Sequence, residues 1–392
     1  MRLVAESTRI AVGVPCELLD GESRVALVPS VVPQLVKSGL EVIVERGAGE
    51  AAGFLDGAYE KHGGRLGSRR EALEAEIVVR VRGWGFDEDG DLDMSHPGQV
   101  IIGLADPLGS AVAVRAATEL KLVTLALDLV PRITRAQGMD ALSSQATVTG
   151  YGAVVLAAAR LPKMFPMLTT AAGTIAPAQV FVVGAGVAGL QAIATARRLG
   201  AVVQAYDVRP AAQDDIESLG ARCILLPLDP GDAADRSGYA KELGEAFYTR
   251  QQALMAQVVA GVDVVVTTAL IPGAAAPMLI TAEAVAAMQP GSIIVDCAAE
   301  RSGNCELTRP DETVVTHNRV TILGPTNLPS MLPHDASLMY AKNVAALLGL
   351  IVKDGKLALD EEDEIVRAVL VTTDGEIVHP GVRDAFEEVR GV

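Results

Sequence analysis

Short apolar runs separated by helical stretches recur along the whole chain. The runs expected as strands are rich in Val, Ile and Leu: Arg9 to Val14, Glu41 to Glu45, Ile77 to Val81, Val100 to Leu104, Leu122 to Leu127, Val180 to Val183, Val202 to Tyr206, Arg222 to Leu225, Val262 to Thr267, Ser292 to Asp296 and Val320 to Leu323. Between them lie segments of helical pattern. Apolar strands that alternate with helices are typical of parallel sheets covered on both faces. We therefore expect an α/β protein.

The order of these elements predicts two Rossmann-like, doubly wound domains with mainly parallel sheets, the second inserted into the first. Residues 1–144 and 336–392 would form the first domain, and residues 145–335 the inserted nucleotide-binding domain with its connecting helices. An Ala-rich helix from Gln145 to Arg160 would lead into the inserted domain, and Ala336 to Val352 is predicted as the returning helix. A discontinuous first domain is the simplest arrangement that accounts for this order.

Two further stretches have a clear local pattern. The turn Thr373-Asp374-Gly375 stands between two short apolar runs and predicts a hairpin. The tract from Gly83 to Gly98 is polar and acidic, and we expect it as a surface loop without assigned chemistry.

Composition narrows the class of protein. The formal net charge of the 392 residues is −16, which argues against direct binding of nucleic acid or of an anionic membrane surface. The four cysteines form no C-x-x-C pair, so buried thiols in a reducing compartment are expected. No uninterrupted apolar run is long enough to span a bilayer. We expect a soluble, cytoplasmic protein.

A glycine motif follows the central apolar run. Val180 to Val183 ends in Gly184, Gly186 and Gly189, spaced G-x-G-x-x-G, and a helical pattern follows from Leu190 to Leu199. In a dinucleotide site the first glycine permits a tight turn, the second lets the backbone approach a pyrophosphate, and the third allows close packing of helix on strand. The amides at the start of the helix attract the phosphates.

An acidic residue stands where such a site needs one. Asp207 ends the next predicted strand, and a carboxylate at this place accepts hydrogen bonds from an adenosine ribose. Because it would also repel a 2′-phosphate, NAD(H) is favoured over NADP(H). Arg209 is near enough in sequence to bind a 2′-phosphate, so the preference is not absolute.

A polar segment from Pro131 to Gln145 precedes the Ala-rich helix. Its side chains Arg132, Gln137, Asp140 and Ser143 would converge on a ligand, with the Gln carboxamide bridging two groups. An alternative is a helix-capping network, in which Asp140 or Ser143 caps the helix and Arg132 is paired at the surface. The pattern leaves both open.

Three other groups are candidates with a plain structural alternative. Tyr239 lies in a long connection and would either close over a nucleotide or pack locally in a solvated loop. The small residues of Thr267 to Gly273 follow a strand and would line the cofactor crevice. Glu300 would act as a base beside the cofactor, or would cap a helix or pair with a cation. None of the five histidines stands at a predicted strand end beside an acid, and no metal-binding spacing is present.

With these residues in view, the chain resembles the alanine dehydrogenase/proton-translocating nicotinamide nucleotide transhydrogenase family along nearly its whole length. The similarity is greatest to the NAD(H)-binding component, domain I, in its separate α1-type subunit form. The stretches that carry it are Pro131 to Asp140, Thr170 to Thr174, Gly184 to Ala196, Gly238 to Glu242, Thr267 to Gly273 and Gly303 to Cys305.

The resemblance implies roles for individual residues. Arg132, Gln137 and Asp140 would be catalytic, forming a loop over the nicotinamide, and Gln137 would reach toward the second nucleotide on another subunit. The implied cofactor contacts are Ile133, Thr134, Ser143, Gly184, Ala185, Gly186, Val187, Gly189, Asp207, Val208, Arg209, Gly238, Tyr239, Ala269 and Leu270. Ser143 would bind the carboxamide, and Tyr239 would lie on a mobile closing loop.

The resemblance also implies a reaction and partners. The chain would pass hydride from NADH to NADP⁺ bound by domain III, while the membrane domain II couples the transfer to proton translocation. It would form a homodimer and lie in the cytoplasm, peripheral to the inner membrane through its partner subunits.

Two alternative functions are considered. The first is an alanine dehydrogenase-like amino-acid oxidoreductase, in which Arg24 would bind the substrate carboxylate. The catalytic His of that enzyme has no counterpart in Ile101 to Asp106, and Glu300 stands in place of its catalytic Asp. The second is an NAD-binding regulatory module without turnover, which would not need a loop over the nicotinamide.

Overall fold

The computed structural model describes residues 9–84, 91–226, 245–271 and 275–390. Its strands are β1 (Ile10–Val14), β2 (Leu40–Glu45), β3 (Arg65–Gly67), β4 (Ile77–Arg82), β5 (Val100–Leu104), β6 (Val123–Ala126), β7 (Leu168–Thr170), β8 (Gly173–Ile175), β9 (Gln179–Val183), β10 (Val202–Tyr206), β11 (Arg222–Cys223), β12 (Val264–Thr267), β13 (Ile293–Asp296), β14 (Thr313–Val315), β15 (Thr321–Leu323), β16 (Val352–Lys353), β17 (Lys356–Leu357), β18 (Leu370–Thr373) and β19 (Glu376–Ile377).

The α-helices are α1 (Val32–Lys37), α2 (Asp56–Lys61), α3 (Arg69–Leu73), α4 (Ala111–Glu119), α5 (Ala141–Arg160), α6 (Val187–Arg198), α7 (Ala212–Ser218), α8 (Glu245–Val259), α9 (Ala282–Ala286), α10 (Pro333–Ile351), α11 (Glu364–Val369) and α12 (Pro380–Arg390). The chain divides into a first unit, Met1–Gln145 with Pro329–Val392, and a second unit, Ala146–Leu328. The division falls within α5.

The first unit is built on an eight-stranded sheet with the order β19-β18-β6-β5-β4-β1-β2-β3. Its six N-terminal strands pair in parallel, and β18 pairs antiparallel with both β6 and β19. At this junction Thr372 donates from its hydroxyl to Thr124 Oγ1 at 3.0 Å. The C-terminal segment of the chain thus supplies the last two strands of a sheet begun at its N-terminus.

The second unit is built on a seven-stranded sheet with the order β11-β10-β9-β12-β13-β15-β14, parallel except at β14. Val180 and Val182 of β9 are buried on the face covered by α6, whereas Phe181 and Val183 are buried on the opposite face. Both faces are therefore apolar, as the continuous Val-rich run predicts. The chain leaves β9 for β10 on one side and returns as β12 on the other. This reversal opens a crevice at the carboxyl ends of β9 and β12.

The expected α/β class, with two Rossmann-like units and mainly parallel sheets, is confirmed. The hairpin prediction is also confirmed, since β18 and β19 pair antiparallel across Asp374 and Gly375, whose φ values of +51° and +82° belong to a type I′ turn. Among the helices of the described residues, none has both the length and the apolar character needed to cross a bilayer.

The expectation of a surface loop between Gly83 and Gly98 is wrong at Asp91. Residues 85–90 lie outside the described ranges, but Asp91 is 4% exposed and begins a 3₁₀ helix. Its carboxylate lies 2.5 Å from the guanidinium of Arg69 and 3.0 Å from that of Arg80. Asp91 is a counter-ion for the buried Arg80 and the partly buried Arg69, which accounts for the burial of its carboxylate.

Candidate nucleotide site

The glycine turn between β9 and α6 lies at the carboxyl edge of the second unit's sheet. Gly184 has a φ of +95°, a conformation that side chains disfavour. A Cβ on Gly189 would lie 1.8 Å from the carbonyl oxygen of Gly184, so strand and helix pack too closely for a side chain there. Gly186 is the N-cap of α6, and no described atom lies within 4 Å of the Cβ it would carry. The turn leaves no room for a side chain at Gly189, whereas the space beside Gly186 is free of described atoms. A phosphate placed there would contact the first backbone amides of α6.

The carboxylate of Asp207 is fixed beside this turn. It accepts hydrogen bonds from the backbone N–H of Ala185 at 2.7 Å and from that of Arg209 at 2.8 Å. The guanidinium of Arg209 covers it, with Nε 2.9 Å from Oδ1 and Nη2 2.9 Å from Oδ2. The side chains of Asp207 and Arg209 are 6% and 21% exposed. The positive charge of Arg209 is thus engaged with the acid that would bind an adenosine ribose.

The segment after β12 forms the other side of the turn. The backbone N–H of Thr268 donates to the carbonyl of Val183 at 2.8 Å, and its hydroxyl donates to that of Gly184 at 3.1 Å. A Cβ on Gly184 would lie 2.8 Å from Thr268 Oγ1 and 3.2 Å from the nitrogen of Ala269. Leu270, the next residue, is 44% exposed. The second unit therefore brings together the glycine turn, the acid after β10 and the small residues after β12.

The polar segment before α5 belongs to the first unit and forms a 3₁₀ helix, Thr134–Met139. Arg132 and Gln137 are exposed. Asp140 caps α5, because its carboxylate accepts the backbone N–H of Ser143 at 2.8 Å and the Ser143 hydroxyl at 2.6 Å. The capping interpretation of Asp140 is confirmed. A cap does not preclude a ligand contact, since a carboxylate has about four lone-pair sites.

An asparagine of α10 anchors this 3₁₀ helix. The Asn343 side chain is largely buried, and it donates from Nδ2 to the carbonyl of Gly138 at 2.9 Å. Its Oδ1 accepts the hydroxyl of Ser144 at 2.7 Å. Ala136 is fully buried beneath the same turn. The backbone is thus fixed on both sides of Gln137, by the burial of Ala136 and by the hydrogen bond to Gly138, while the Gln137 side chain is exposed. Nothing in the local sequence around Asn343 indicated this contact.

The remaining predicted contacts are located as follows. Ile133, Val187 and Val208 are partly or largely exposed, as is Thr134, whereas Ala185 is buried and contributes its backbone N–H. Gly238 and Tyr239 lie outside the described residues. Glu300 is exposed within the short 3₁₀ helix Ala299–Arg301 that follows β13.

Arg24 is engaged inside the first unit. Its guanidinium lies 2.6 Å from one carboxylate oxygen of Glu22 and 2.7 Å from the other. Its Nη1 donates to Oε1 of Gln145 at 2.8 Å, and the residue is 4% exposed. A buried arginine whose charge is matched by a buried glutamate does not need an external carboxylate to satisfy it.

The segment between β5 and α4, residues 105–110, contains no histidine. There the partly buried carboxylate of Asp128 accepts the backbone N–H groups of Ala105 and Asp106. Burial raises the pKa of Asp128 above its ordinary value, and these hydrogen bonds oppose the rise. The group therefore orders the turn after β5.

Comparison with known proteins agrees with this architecture. Residues 13–149 match the model of the alanine dehydrogenase/PNT N-terminal domain, and residues 153–380 match that of the C-terminal domain. The chain is 45% identical to the first portion of the NAD(P) transhydrogenase alpha subunit of Rhodospirillum rubrum, over 95% of this chain and 98% of that protein. The corresponding protein of Rickettsia prowazekii is 41% identical over 95% and 97%. Alanine dehydrogenase 2 of Staphylococcus aureus is 26% identical over 96% of both chains.

Solved structures give the same grouping. A transhydrogenase from Sinorhizobium meliloti superposes with a TM-score of 0.83 and 42% identity, covering 94% of this chain and 100% of that one. An L-alanine dehydrogenase superposes with a TM-score of 0.80 and 25% identity, covering 97% and 99%. With both domain models matched and relatives above 40% identity along nearly its full length, the chain belongs to the alanine dehydrogenase/PNT family.

Proposed function

We propose that this chain is the NAD(H)-binding component of a proton-translocating transhydrogenase and passes hydride from NADH to NADP⁺ held by a partner subunit. The observation that carries the proposal is the 45% identity to a transhydrogenase alpha subunit over nearly all of both chains, against 26% for an alanine dehydrogenase. This component would have two domains. Residues 1–144 and 336–392 would form the discontinuous domain, and residues 145–335 would form the nucleotide-binding domain.

The environment of Arg24 supports this choice over an amino-acid dehydrogenase. An enzyme that oxidises an amino acid needs a cation for the substrate carboxylate and a base for its nitrogen. Arg24 is instead matched by Glu22 inside the fold, and the described segment after β5 offers Ala105 and Asp106 rather than a histidine.

The geometry of the second unit supports NAD(H) as the cofactor. The open amides at Gly186 would hold the pyrophosphate, and Asp207 would accept the ribose hydroxyls. A 2′-phosphate would meet a carboxylate that is fixed in place by Ala185 and Arg209. NADP(H) would accordingly be bound by the partner.

Hydride transfer between two nicotinamides makes a limited demand on the protein. When bound, NADH supplies the hydride, and no proton has to be moved by a side chain. The task left to the chain is alignment, which lowers barriers by roughly 7–11 kcal/mol in the best intramolecular cases. Gln137 is suited to it, because it is exposed, neutral and carried on an anchored backbone. Arg132, Asp140 and Ser143 would hold the nicotinamide end of the same cofactor.

A second copy of the chain is proposed as a partner of the β7–β8 hairpin. Ile175 of β8 is 45% exposed, and Met164 and Met167, which precede β7 in the sequence, are 47% and 63% exposed. Isolated hairpins are marginal in water, and clustered exposed apolar side chains mark interfaces. The homodimer would dock through its partner subunits on the cytoplasmic side of the inner membrane. Sedimentation analysis of the purified chain tests its oligomeric state.

The deciding experiment is reconstitution of hydride exchange. The purified chain would be mixed with an NADP(H)-binding transhydrogenase domain, and transfer followed with a nicotinamide analogue whose reduced form absorbs separately. We expect exchange that requires both proteins, and no oxidation of L-alanine by this chain with NAD⁺. Alanine oxidation at a comparable rate would establish the dehydrogenase instead, and absence of exchange with an active partner domain would refute the proposal.

A further inference from the structure

The stretch Gly303-Asn304-Cys305 is organised by a buried carboxylate at the end of β13. Asp296 is fully buried and accepts the backbone N–H groups of Asn304 at 2.8 Å and Cys305 at 3.0 Å. It also accepts the hydroxyls of Thr267 at 2.8 Å and Thr308 at 2.7 Å. These bonds compensate the burial of the charge and fix the turn relative to the ends of β12 and β13.

The side chain of Asn304 is fully buried and binds both backbone groups of one residue, Ala269, in the segment after β12. Its Oδ1 accepts the N–H of Ala269 at 3.1 Å, and its Nδ2 donates to the carbonyl of Ala269 at 2.9 Å. The second hydrogen of Nδ2 goes to the carbonyl of Pro277 at 2.9 Å. A carboxamide that binds both the backbone N–H and the backbone carbonyl of Ala269 fixes the position of that residue. Both backbone groups are then satisfied by hydrogen bonds within the protein.

Ala269 stands on the side of the glycine turn opposite to Asp207. Its nitrogen would lie 3.2 Å from a Cβ on Gly184, so it borders the turn directly. Asp207 follows β10 and Ala269 follows β12, and these strands flank β9 on its two sides. A dinucleotide that places its adenosine at Asp207 extends across the turn toward β12.

We propose that Asn304 is a positioning residue for the nicotinamide half of the cofactor, acting through the backbone of Ala269. This inference rests on the proposed binding of NAD(H). Asn304 holds Ala269 and Leu270, which line the crevice after β12, in the position that binds the cofactor before the cofactor is present. Binding then does not have to include the entropy cost of ordering this segment. Asp296 in turn holds Asn304.

The variant Asn304→Asp tests these hydrogen bonds with little change of shape. The carboxylate still accepts the N–H of Ala269 but cannot donate to the carbonyls of Ala269 and Pro277. Affinity for NADH should fall about tenfold or more, whereas affinity for ADP, which carries the adenosine half alone, should stay within about twofold. Thr308→Val is the matched control, because it removes a hydrogen bond to Asp296 and leaves the hydrogen bonds to Ala269 in place. It should lower the melting temperature without changing the ratio of NADH to ADP affinity.

If Asn304→Asp does not fold, hydrogen exchange in the wild-type chain tests the same proposal. Hydrogen exchange of the Ala269 amide should already be slow without nucleotide, as expected of a segment that is fixed before the cofactor binds. Fast exchange of that amide, or a wild-type ratio of NADH to ADP affinity in a folded Asn304→Asp, overturns the positioning role. Failure of the wild-type chain to bind NADH at all would instead overturn the proposed function.

Discussion

Replacing Asp207 by Asn should weaken the preference for NADH over NADPH. In the structure the carboxylate accepts hydrogen bonds from the backbone N–H of Ala185 and from Nε and Nη2 of the Arg209 guanidinium. Asn keeps the shape and one acceptor, but removes the negative charge that repels a 2′-phosphate. It also ends the ion pair that engages Arg209, whose side chain is 21% exposed and can then turn to a phosphate.

The size of the effect follows from the bonds that change. A hydrogen bond to a charged group contributes roughly 1.5–3 kcal/mol, so loss of the charged ribose acceptor should weaken NADH binding about 10- to 100-fold. A guanidinium–phosphate contact of similar strength should improve NADPH binding by a comparable factor. The ratio of the two affinities should therefore move by about a hundredfold or more.

Fluorescence of the bound reduced nicotinamide measures both affinities on the same protein. The double variant Asp207→Asn with Arg209→Ala is the control, since it should lose the gain for NADPH and keep the loss for NADH. An unchanged ratio in Asp207→Asn would show that the acid does not face the 2′ position. An equal gain in NADPH affinity in the double variant would show that Arg209 does not bind the 2′-phosphate.

Three further predictions concern the first unit. Gln137→Asn should slow hydride exchange with the NADP(H)-binding domain at least tenfold, ~1.4 kcal/mol in the barrier, with little change in NADH affinity; an unaffected exchange rate would remove Gln137 from the mechanism. Asn343→Asp, which cannot donate to the carbonyl of Gly138, should slow exchange about fivefold at unchanged NADH affinity, and Ser144→Ala, which spares that bond, should not. Arg24→Ala should lower the free energy of unfolding by roughly 3 kcal/mol in denaturant titrations, because it removes the nearer cation of the buried Glu22 carboxylate and leaves Arg82, whose Nε lies 3.5 Å away. A stable Arg24→Ala chain would mean that the ion pair is not structural.

Much of the fold follows from local pattern. The Val-rich run from Val180 to Val183, the glycines after it and Asp207 lie within one short strand–turn–helix–strand unit, so their arrangement is set by neighbours in sequence. The right-handed crossover rule and short connections restrict the order of the strands to a few arrangements. The turn at Asp374 and Gly375 is likewise local, because its residue types favour positive φ.

The long-range polar contacts could not be predicted in this way. Asn304 meets Ala269, and Asn343 meets Gly138, across sequence separations of 35 and 205 residues. Asparagine has no periodicity or spacing that marks such a partner. The burial of Asp91 was missed for the same reason, because the arginines that require it come from other elements. Side-chain hydrogen bonds between distant segments form only once the sheets are assembled.

The placement of β18 and β19 has a consequence for the order in which the protein acquires its structure during synthesis. The second unit is continuous in sequence and can close as soon as its last strand leaves the ribosome. The first unit must wait, since β6 has no neighbour on its outer side until β18 is made, and its core lacks Tyr340, Val344 and Leu348 until α10 is made. During that interval an apolar strand edge is open to other chains. Truncation near the C-terminus should therefore cause aggregation through the N-terminal sheet while leaving the nucleotide-binding unit folded.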